Sequence, residues 1–364
     1  MKKILHLGIA LAPYRMDFYN ALAKEYKADF YFLQNRMNSS IFNIEELKEQ
    51  CCFDVKLIKT VKFRRNYFYS IGVFKLIWKE RPQCIFVPEY SLLTVKACLI
   101  KHFLFWRKMK VVSVCDDSID MICGNDFTFI HRLARRILAP VLNDLILLDK
   151  YAVEWYQNKY RKGIYFPLIR DDVKAGAMYK KLIPLSNKLN CSYGIQGEKI
   201  ILFVGRLVAL KNIESLIKAY SKIKNKARLV IIGSGEEELK LKKTDRMLKT
   251  NILFTGRLEG DELMAWYNIA DVFVLPSYQE AFGAVTNEAL LAGCRVVVSK
   301  RAGSSSIVTD INGTIVDPLN ENALTKAMLK ELALTRKKGN TIEQKSSLMQ
   351  MTFNEAMQNV LKKI

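Results

Sequence analysis

Short apolar runs alternate with amphipathic stretches along the first half of the chain. Five of these runs have the length and aliphatic content of buried strands, and they occupy residues 3–8, 28–33, 84–87, 111–115 and 145–148. The segments between them, such as residues 16–26, carry apolar side chains at helical spacing. Strands that alternate with helices indicate a parallel sheet that is covered on both faces.

The pattern lapses over residues 176–198, which contain Pro184, Gly194 and Gly197, and this lapse predicts an interdomain linker. Beyond the linker the alternation resumes, with apolar strands at residues 199–205, 227–235, 251–256, 271–276, 294–299 and 314–316. A last helical pattern follows a polar stretch near the C-terminus. The second half therefore predicts another parallel sheet with helices on both faces.

Together the two halves predict an α/β protein of two doubly wound, Rossmann-like domains that face each other across a cleft. We expect domains at residues 1–180 and 190–345, with a helix at residues 350–364 that packs back on the first domain. Ligands of such sheets bind outside the carboxyl ends of the strands. We therefore expect acceptor determinants in the first domain and donor determinants in the second.

The charge balance is strongly basic, with a formal net charge of +21. Residues 1–190 contain 32 basic and 18 acidic side chains, so most of the excess lies in the first half. Such a surface suits phosphorylated ligands or anionic lipid, although an ordinary solvated surface has the same composition. The sequence contains no zinc-finger or RNP signature, which argues against a nucleic-acid partner.

The cysteines and the N-terminus favour a cytoplasmic protein. Cys51 and Cys52 are adjacent and the other six cysteines form no CxxC pair, which argues against a disulfide framework and a zinc site. Residues 1–12 imitate a signal peptide, but the apolar run is short and Pro13 follows it, so we favour a buried first strand ending at Gly8. No stretch approaches the ~20 apolar residues of a membrane span.

The first candidate site follows the strand ILFV and reads Gly205-Arg206-Leu207, with Lys211 and Asn212 close behind. Glycine allows a close approach of ligand, arginine offers a rigid fork for phosphate oxygens, and lysine adds a mobile charge. Asn212 is expected to cap the next helix, whose N-terminus favours an anion. These residues predict a diphosphate site, although a solvated surface turn has the same sequence.

The second candidate site reads PSYQEAFGAVTNE over residues 276–288 and follows another buried strand. Glu280 lies on the loop, and Glu288 is expected more than a turn into a helix that starts near Gly283. Carboxylates accept hydrogen bonds from vicinal hydroxyls, which sugars and ribose present. Two glutamates eight residues apart are common by chance, and the pair gains weight from the basic site beside it.

With these residues in place, the C-terminal half resembles the family 4 glycosyltransferases of the GT-B fold, whose hallmark is an E-x7-E motif. Here that motif is Glu280-AFGAVTN-Glu288. The similarity extends over nearly all of residues 198–320, with the further segments VGRLVALKN at 204–212, IIGSG at 231–235, FTGRL at 254–258, ADVFVLPS at 270–277, LLAGCRVVVS at 290–299 and INGTIVDP at 311–318.

The resemblance implies a retaining transfer of a sugar from a nucleotide diphosphate donor to a saccharide or lipid-linked saccharide. It implies that Arg206 and Lys211 hold the diphosphate and stabilise the departing charge, and that Glu280 lies near the transferred sugar. Glu288 is expected to bind ribose, while main-chain groups of Phe282 and Gly283 contact the donor. The base is expected near residues 233–235 and near Gly256 and Arg257.

Metal and cofactor are not expected from this resemblance, because the two cations can do the work of a metal ion and the sequence contains no DxD motif. Electrostatic stabilisation of the leaving diphosphate then carries the mechanism. The family also favours work in surface polysaccharide or glycan assembly at the inner face of the plasma membrane.

The N-terminal half departs from the family pattern. Arg15, in the turn PYR after the first strand, resembles a subset of the family and is expected as an acceptor or phosphate contact, although a solvated arginine at a helix start is equally compatible. Where many members have a histidine that contacts the donor sugar, this chain has Asp116 and Asp117. Either acid is a candidate for that polar role. Glu89 is a weaker candidate.

The three histidines, His6, His102 and His131, lie elsewhere and are interpreted as structural. Two segments, residues 63–78 and 96–110, mix cations with aromatic side chains and suit an anionic membrane surface. The side chains concerned are Arg64, Arg65, Lys75, Phe103, Phe105 and Trp106. Packing of the same helices against the sheet is the competing interpretation.

Two other functions remain open. A nucleotide-sugar epimerase of the GT-B fold would act on the donor without an acceptor, and a non-catalytic nucleotide-sugar-binding protein would bind donor without turnover. A Rossmann dehydrogenase is poorly supported, since no GxGxxG motif follows the first strand.

Overall fold

The computed structural model describes residues 1–34, 36–37, 40–41, 44–58, 60–63, 67–70, 72–103, 108–124, 127–336 and 339–364. The chain divides into two units, residues 1–168 with 354–364, and residues 169–353. Each unit is built around one parallel sheet with helices, which confirms the predicted α/β class.

The five apolar runs of the first half form five strands of a seven-stranded parallel sheet, and β5 and β11, which the sequence did not predict, are its two edge strands; the order is β11-β10-β9-β8-β1-β2-β5. The strands of this sheet are β1 (Lys3–Ala10), β2 (Lys27–Gln34), β5 (Val55–Leu57), β8 (Cys84–Pro88), β9 (Lys110–Cys115), β10 (Asp144–Leu147) and β11 (Ile164–Tyr165). Two short antiparallel pairs lie outside it, β3 (Arg36–Met37) with β4 (Ser40–Ile41) and β6 (Thr60–Phe63) with β7 (Tyr67–Ser70). Ile4, Leu5 and Leu7 of β1 are fully buried. Burial on both faces explains why β1 reads as a continuous apolar run.

The helices of this unit are α1 (Met16–Glu25), α2 (Ile44–Glu49), α3 (Val73–Glu80), α4 (Leu92–Phe103), α5 (Ile119–Cys123), α6 (Phe129–Val141) and α7 (Lys150–Tyr160). Helices α3, α4 and α6 share one core, to which they contribute Ile77, Ile100 and Leu138. The strand order reverses between β1 and β8, so the segments that follow these two strands leave neighbouring carboxyl ends.

The second unit is a six-stranded parallel sheet in the order β14-β13-β12-β15-β16-β17. Its strands are β12 (Ile200–Val204), β13 (Arg228–Ile232), β14 (Leu253–Gly256), β15 (Val272–Leu275), β16 (Arg295–Ser299) and β17 (Gly313–Val316). Its helices are α8 (Asp172–Lys181), α9 (Ile183–Ser192), α10 (Ile213–Ser221), α11 (Glu238–Leu248), α12 (Gly260–Ile269), α13 (Val285–Leu291) and α14 (Glu321–Leu334). Here the order reverses between β12 and β15, and each of these two strands leads directly into one of the two predicted donor motifs.

The predicted linker at residues 176–198 is wrong, because most of it is helical. Helices α8 and α9 occupy this stretch, and Pro184 lies in the first turn of α9, where a missing N–H group costs no helical hydrogen bond. Gly194 and Gly197 follow the end of α9 with positive φ angles of 62° and 75°. The proline and glycines therefore mark the ends of a helix and a turn, and the units divide at residues 168 and 169.

The last helix, α15 (Phe353–Leu361), runs into residues 354–364, which belong to the first unit. Lys110 Nζ donates to the carbonyl of Lys363 at 3.2 Å, and Lys363 Nζ donates to the carbonyl of Gly163 at 3.3 Å. The C-terminal residues are thus tied to β9 and to the segment before β11.

Among the described residues, no helix has both the length and the apolar character needed to cross a bilayer. Of the side chains that suggested contact with anionic lipid, Arg64, Arg65, Phe105 and Trp106 lie outside the described residues. Lys75 lies on α3 and Phe103 ends α4, and both are exposed.

Candidate functional site

The loops that follow β12 and β13 pack directly against each other at the carboxyl edge of the second sheet. Gly205 N–H donates to the carbonyl of Ile232 at 3.0 Å, and Leu207 N–H donates to the carbonyl of Ser234 at 2.9 Å. A Cβ atom on Gly233 would lie 1.9 Å from the carbonyl oxygen of Gly205. No side chain fits between these loops, so glycine is required there.

The loop after β12 brings the two predicted cations to this edge. The side chain of Arg206 is exposed. Lys211 is mostly buried, and its ammonium group forms an ion pair with the carboxylate of Glu280 from the loop after β15. Two residues that lie 69 positions apart in the sequence, one in each predicted motif, are thus in contact.

Asn212 does not cap α10 with its side chain, contrary to the sequence prediction. The residue adopts a left-handed conformation with a φ of 54°, and its amide group donates to the carbonyls of Pro276 (3.1 Å) and Pro318 (2.9 Å). The side chain is buried. Asn212 therefore fastens the Lys211 loop to the loop that leads to Glu280.

Backbone hydrogen bonds hold the loop after β15 beside residues 302–304. Gly303 N–H donates to the carbonyl of Glu280 at 3.1 Å, and Ser304 N–H donates to the carbonyl of Phe282 at 2.7 Å. Gly283 has a φ of 89°, and a Cβ atom there would lie 2.6 Å from Leu275 Cδ2. Only glycine satisfies both the backbone conformation and this close packing.

The side chain of Phe282 is buried, so its ring packs inside the unit. Within the described residues, the N–H groups of Ala281, Phe282 and Gly283 donate no hydrogen bond. These three donors precede α13 and lie next to the ion pair of Glu280. Free backbone N–H groups of this kind can bind the oxygens of a phosphate or a sugar.

Glu288 lies in the first turn of α13, because that helix begins at Val285 and not near Gly283 as predicted. Tyr267 donates its hydroxyl to Glu288 Oε2 at 3.1 Å, and Arg170 Nη1 lies 3.6 Å from Glu288 Oε1. About a fifth of the Glu288 side chain (19%) is exposed. Burial raises the pKa of Glu288, while the charge of Arg170 and the hydrogen bond from Tyr267 act in the opposite direction.

Arg170 and Tyr267 were not predicted as site residues. Arg170 precedes α8, and its own N–H group donates to Asn287 Oδ1 at 3.0 Å, so the backbone of this segment is tied to α13. Sequence reasoning assigned residue 170 to the first domain, and no motif surrounds it. The structure places residue 170 in the second unit and identifies it as a partner of Glu288 through their 3.6 Å contact.

The remaining donor candidate, Gly256, ends β14 with a φ of 76°, and its carbonyl accepts a hydrogen bond from Gly233 N–H at 2.8 Å. Arg257 is exposed and paired with Glu259. The segments predicted to surround the base thus share one edge with Gly205. They form a continuous rim after β12, β13 and β14.

A second group of candidates lies in the first unit at the reversal between β1 and β8. A cavity of about 90 Å³ is lined there by Arg15, Glu89 and Asp116, together with His6 and Tyr14. Arg15 forms an ion pair with Asp116, and the arginine side chain is buried. The structure therefore shows Arg15 already paired, in contrast to a solvated arginine at a helix start.

Glu89 follows β8 in a left-handed conformation with a φ of 43°. Its N–H group donates to the carbonyl of Val114, while its carbonyl accepts from Ser113 Oγ (2.8 Å) and Thr94 Oγ1 (2.9 Å). These bonds hold a backbone conformation that costs roughly 1–2 kcal/mol in a residue other than glycine. Burial, together with the nearby carboxylates of Asp116 and Asp117, raises the pKa of Glu89 to about 7.

Asp117 points away from the cavity candidates and into the core. It accepts a hydrogen bond from Tyr156, and it lies 3.5 Å from Arg135 Nη1 and 3.4 Å from His131 Nε2. Burial by itself would raise the pKa of Asp117, but the adjacent His131 ring, the hydrogen bond from Tyr156 and the charge of Arg135 lower it overall. Asp117 is thus a buried ionic centre between α6 and α7, while Asp116 is the acid that lines the cavity.

His6 and His131, two of the three histidines, pack against aromatic side chains of the first unit. His6 is buried among aromatic rings, with Tyr19 at 4.8 Å and Phe30 at 5.5 Å between ring centroids. Burial and the charge of Arg15 lower the pKa of His6 to about 3. His131 stacks on Phe127 at 4.2 Å and reaches Asp117 from α6.

Residues 190–347 match the family model described as glycosyl transferases group 1. We call this matched part of the chain the group 1 domain. The group 1 domain contains Arg206, Lys211, Glu280 and Glu288, whereas Arg170 lies outside the match. The resemblance drawn from the E-x7-E motif is confirmed for this part of the chain.

An uncharacterized glycosyltransferase of Methanocaldococcus jannaschii is 43% identical over 139 residues, which cover 36% of this chain and 36% of that protein. The sulfoquinovosyl transferase SQD2 of Arabidopsis thaliana is 33% identical over 185 residues, which cover 50% of this chain and 34% of that protein. The chain therefore spans about a third of the length of these curated relatives.

A crystal structure of the Anabaena protein HepE in complex with UDP matches the fold of nearly the whole chain. The TM-score is 0.72 at 17% sequence identity, and the match covers 93% of this chain and 92% of HepE. The two sheets and their helices thus have the GT-B fold, and the group 1 domain supplies the second of the two sheets.

Proposed function

We propose that this protein is a retaining glycosyltransferase that moves a sugar from a nucleotide diphosphate donor to a hydroxyl acceptor. The observation that carries the proposal is the contact between Lys211 and Glu280 at the strand reversal of the group 1 domain. A donor site needs a cation for the leaving diphosphate next to a carboxylate for the sugar hydroxyls, and Lys211 and Glu280 are in contact here.

The donor diphosphate is assigned to Arg206, Lys211 and the free N–H groups of residues 281–283. Arg206 is exposed and can form a two-pronged contact with phosphate oxygens. Lys211 must then exchange its bond to Glu280 for one to phosphate. That exchange frees the carboxylate of Glu280 for sugar hydroxyls, so phosphate binding and sugar binding are coupled through one ion pair.

Glu288 is assigned to the ribose, as the E-x7-E resemblance implies. An ionised carboxylate accepts paired hydrogen bonds from vicinal hydroxyls, while a protonated one accepts fewer. Burial favours the protonated form, and Arg170 counteracts it at 3.6 Å. Arg170 is therefore a positioning residue that keeps Glu288 in its binding form.

In the transfer step, the bond between the anomeric carbon and the diphosphate oxygen breaks, and the acceptor oxygen bonds to the same carbon. The acceptor proton leaves with the diphosphate oxygen, so charge is conserved without a further reactant. Retention requires the acceptor to approach on the face that the diphosphate leaves. Arg206 and Lys211 stabilise the charge that develops on the leaving group.

The acceptor is assigned to the first unit, near Arg15, Asp116 and Glu89. Since Asp116 already neutralises Arg15, this cavity favours hydroxyl groups over a second phosphate. A saccharide, free or linked to a lipid, presents such hydroxyls. The donor chemistry needs no metal ion in this account, because two side-chain cations face the diphosphate.

A thermal-shift panel of UDP, GDP, ADP and their sugar conjugates tests the proposal. Relatives and matched structures are named for GDP-mannose and for UDP, so both bases belong in the panel. A ligand at 100 times its dissociation constant adds roughly 2.7 kcal/mol of stability. We expect one nucleotide diphosphate to stabilise the protein, and its sugar conjugate to release that nucleotide when acceptor is supplied.

The products of that conjugate separate the alternatives. An isomerised sugar nucleotide without acceptor would indicate an epimerase, and binding without any nucleotide release would indicate a non-catalytic binding protein. Absence of stabilisation by every nucleotide in the panel would contradict the proposed donor site.

A further inference from the structure

Helix α6 turns a stripe of large apolar side chains outward, which is unusual for a helix on the surface of a globular unit. Phe129, Ile130, Leu133, Ile137 and Val141 are between 43% and 75% exposed. Their spacing follows the helical repeat, so they form one continuous face, here called the outward face of α6. At 1.5 Å per residue this face is roughly 18 Å long.

The opposite side of α6 fixes the rotation of the helix. Leu138 and Ala139 are buried in the core of the first unit, and Arg135 is held at 3.5 Å from the buried Asp117. A core and an ionic contact both point inward, so no rotation of α6 could bury the outward face without exposing them. The exposure is therefore built into the fold.

Helix α4 packs beside α6, and α3 packs beside α4, and both also expose apolar side chains. Helix α4 carries exposed Leu99 and Phe103, and α3 carries exposed Phe74 and Trp78. All three helices pack on the same core of the first unit. The exposed apolar side chains thus cover adjacent helices of one sheet face, and a contiguous apolar patch of this kind marks an interaction surface.

The charges on these helices identify the partner. Helices α4 and α6 contain no aspartate or glutamate, and of their five lysine and arginine residues only Lys96 and Arg135 are buried. Arg136 is exposed at the edge of the outward face of α6, and on α3 both Lys75 and Lys79 are exposed next to Phe74 and Trp78. A surface that combines apolar side chains with cations matches the headgroups and acyl boundary of an anionic bilayer.

We propose that the outward face of α6, extended by α4 and then by α3, docks this protein on an anionic lipid surface. The sequence suggested membrane contact for residues 63–78 and 96–110 only, and α6 was not among the candidates. A second copy of the chain is a poorer occupant, because two such faces would bring like charges together. The proposal goes beyond the donor chemistry and does not depend on it.

Co-sedimentation of the full chain with vesicles tests the proposal. The vesicles contain phosphatidylcholine alone or phosphatidylcholine mixed with phosphatidylglycerol, at low and at high salt. We expect binding to the mixed vesicles at low salt, weakened by high salt and absent with phosphatidylcholine alone. Ile137→Glu should weaken binding roughly tenfold or more, because it removes an aliphatic side chain that the bilayer would bury and adds a charge that anionic lipid repels.

Two further variants complete the design. Arg136→Glu should also weaken binding, and more strongly at low salt, since it acts through charge alone. Leu239→Glu is the matched control, because Leu239 is an exposed aliphatic side chain (84%, against 57% for Ile137) on α11 of the other unit. All three sites are exposed, so equal thermal stability verifies that the variants are folded.

The outcomes are distinct from those of the donor assay. Loss of vesicle binding in Ile137→Glu and Arg136→Glu, with the Leu239→Glu control unchanged, supports the proposal even if no nucleotide binds. The proposal is overturned if wild type does not bind anionic vesicles, or if Ile137→Glu and Arg136→Glu bind them as strongly as wild type does. Self-association of wild type that Ile137→Glu abolishes, without vesicle binding, would assign the face to a second copy instead.

Discussion

Lys211 and Glu280 form an ion pair in which each charge neutralises the other. Lys211 is 15% exposed and Glu280 18% exposed, so each charge depends on the other for compensation. A donor that takes over Lys211 must offer an anion, and it gains the carboxylate of Glu280 as a hydrogen-bond acceptor. Substitutions at the two positions should consequently have opposite effects on nucleotide binding.

We predict that Lys211→Ala weakens the binding of the free nucleotide diphosphate by roughly tenfold or more, because a cation is lost and an uncompensated carboxylate remains. Glu280→Gln should leave that affinity unchanged or raise it, since Lys211 becomes available. Turnover should still fall by about 10²–10³ in Glu280→Gln. Calorimetric titration with the free nucleotide and a nucleotide-release assay measure the two effects. Equal losses of affinity in both variants would refute the coupling.

Arg170 gives Glu288 a pH dependence that can be measured. Removal of the arginine charge should raise the pKa of Glu288 further, because burial then acts with less opposition. At neutral pH, Arg170→Gln should therefore bind nucleotide roughly five- to tenfold more weakly than wild type. The difference in nucleotide affinity between Arg170→Gln and wild type should become smaller as pH rises and Glu288 ionises. Arg170→Lys should restore most of the affinity. An affinity difference that does not change with pH would contradict the proposal that Arg170 keeps Glu288 ionised.

Glu89 should make the protein less stable as the pH rises. Its pKa is about 7 in the folded protein and 4.5 is its ordinary value, so the folded state binds more protons between these limits. Stability contributed by the neutral form is present below about pH 4.5 and is lost as pH rises towards 7, by roughly 3 kcal/mol at most. Glu89→Gln should match wild type in melting temperature at pH 5 and exceed it at pH 8. If wild type and Glu89→Gln had the same melting temperature at pH 5 and again at pH 8, ionisation of Glu89 would not destabilise the folded protein.

At the scale of elements, the loops after β12, β13 and β14 depend on close backbone contact. Gly233 faces the carbonyl of Gly205, where a Cβ atom would lie 1.9 Å from oxygen, while a Cβ atom on Gly256 would meet open space. Both glycines have positive φ angles, of 144° and 76°. Steric conflict with the backbone therefore distinguishes the two positions more than conformation does.

Gly233→Ala should destabilise the second unit by roughly 3 kcal/mol or more, because the neighbouring loop must move. Gly256→Ala should cost about 1–2 kcal/mol, the strain of a left-handed conformation alone. Thermal unfolding and nucleotide affinity of both variants check this ordering. A Gly233→Ala protein with the stability and affinity of wild type would mean that these loops do not need their close contact.

The sequence predicted the strands well and the helix boundaries less well, for physical reasons. Buried parallel strands read as apolar runs, so β12 and β15 were recognisable without any structure. Helices α8 and α9 were mistaken for a linker, because the proline and glycines that suggest a loop also occur at helix ends. Local composition does not separate these two uses.

At the scale of the whole molecule, the sequence predicted which motifs meet but not their supporting contacts. Glu280 and Glu288 were identified by spacing, yet the partners Arg170 and Tyr267 come from distant segments that have no motif. Asn212 was expected to cap a helix and instead joins two loops. Such contacts depend on tertiary packing, which periodicity along one chain does not encode.

The outward face of α6 belongs to the same scale. Apolar residues at helical spacing ordinarily indicate a core-facing stripe, but most of the large apolar residues of α6 lie on its exposed side. Only the structure separates the inner residues, such as Leu138, from exposed ones, such as Ile137. The residues that the proposed lipid contact depends on most, such as Ile137, could therefore be identified only from the structure.

The measurement that tests the central claim most directly is the equilibrium affinity of wild type and Arg206→Ala for the nucleotide diphosphate that stabilises the protein. Arg246→Ala is the matched control, since Arg246 is an exposed arginine on α11 of the same unit. We predict that Arg206→Ala binds at least about tenfold more weakly, a loss of roughly 1.4 kcal/mol, while Arg246→Ala binds like wild type. Equal affinities of wild type and Arg206→Ala would contradict a donor site at the carboxyl edge of the second sheet.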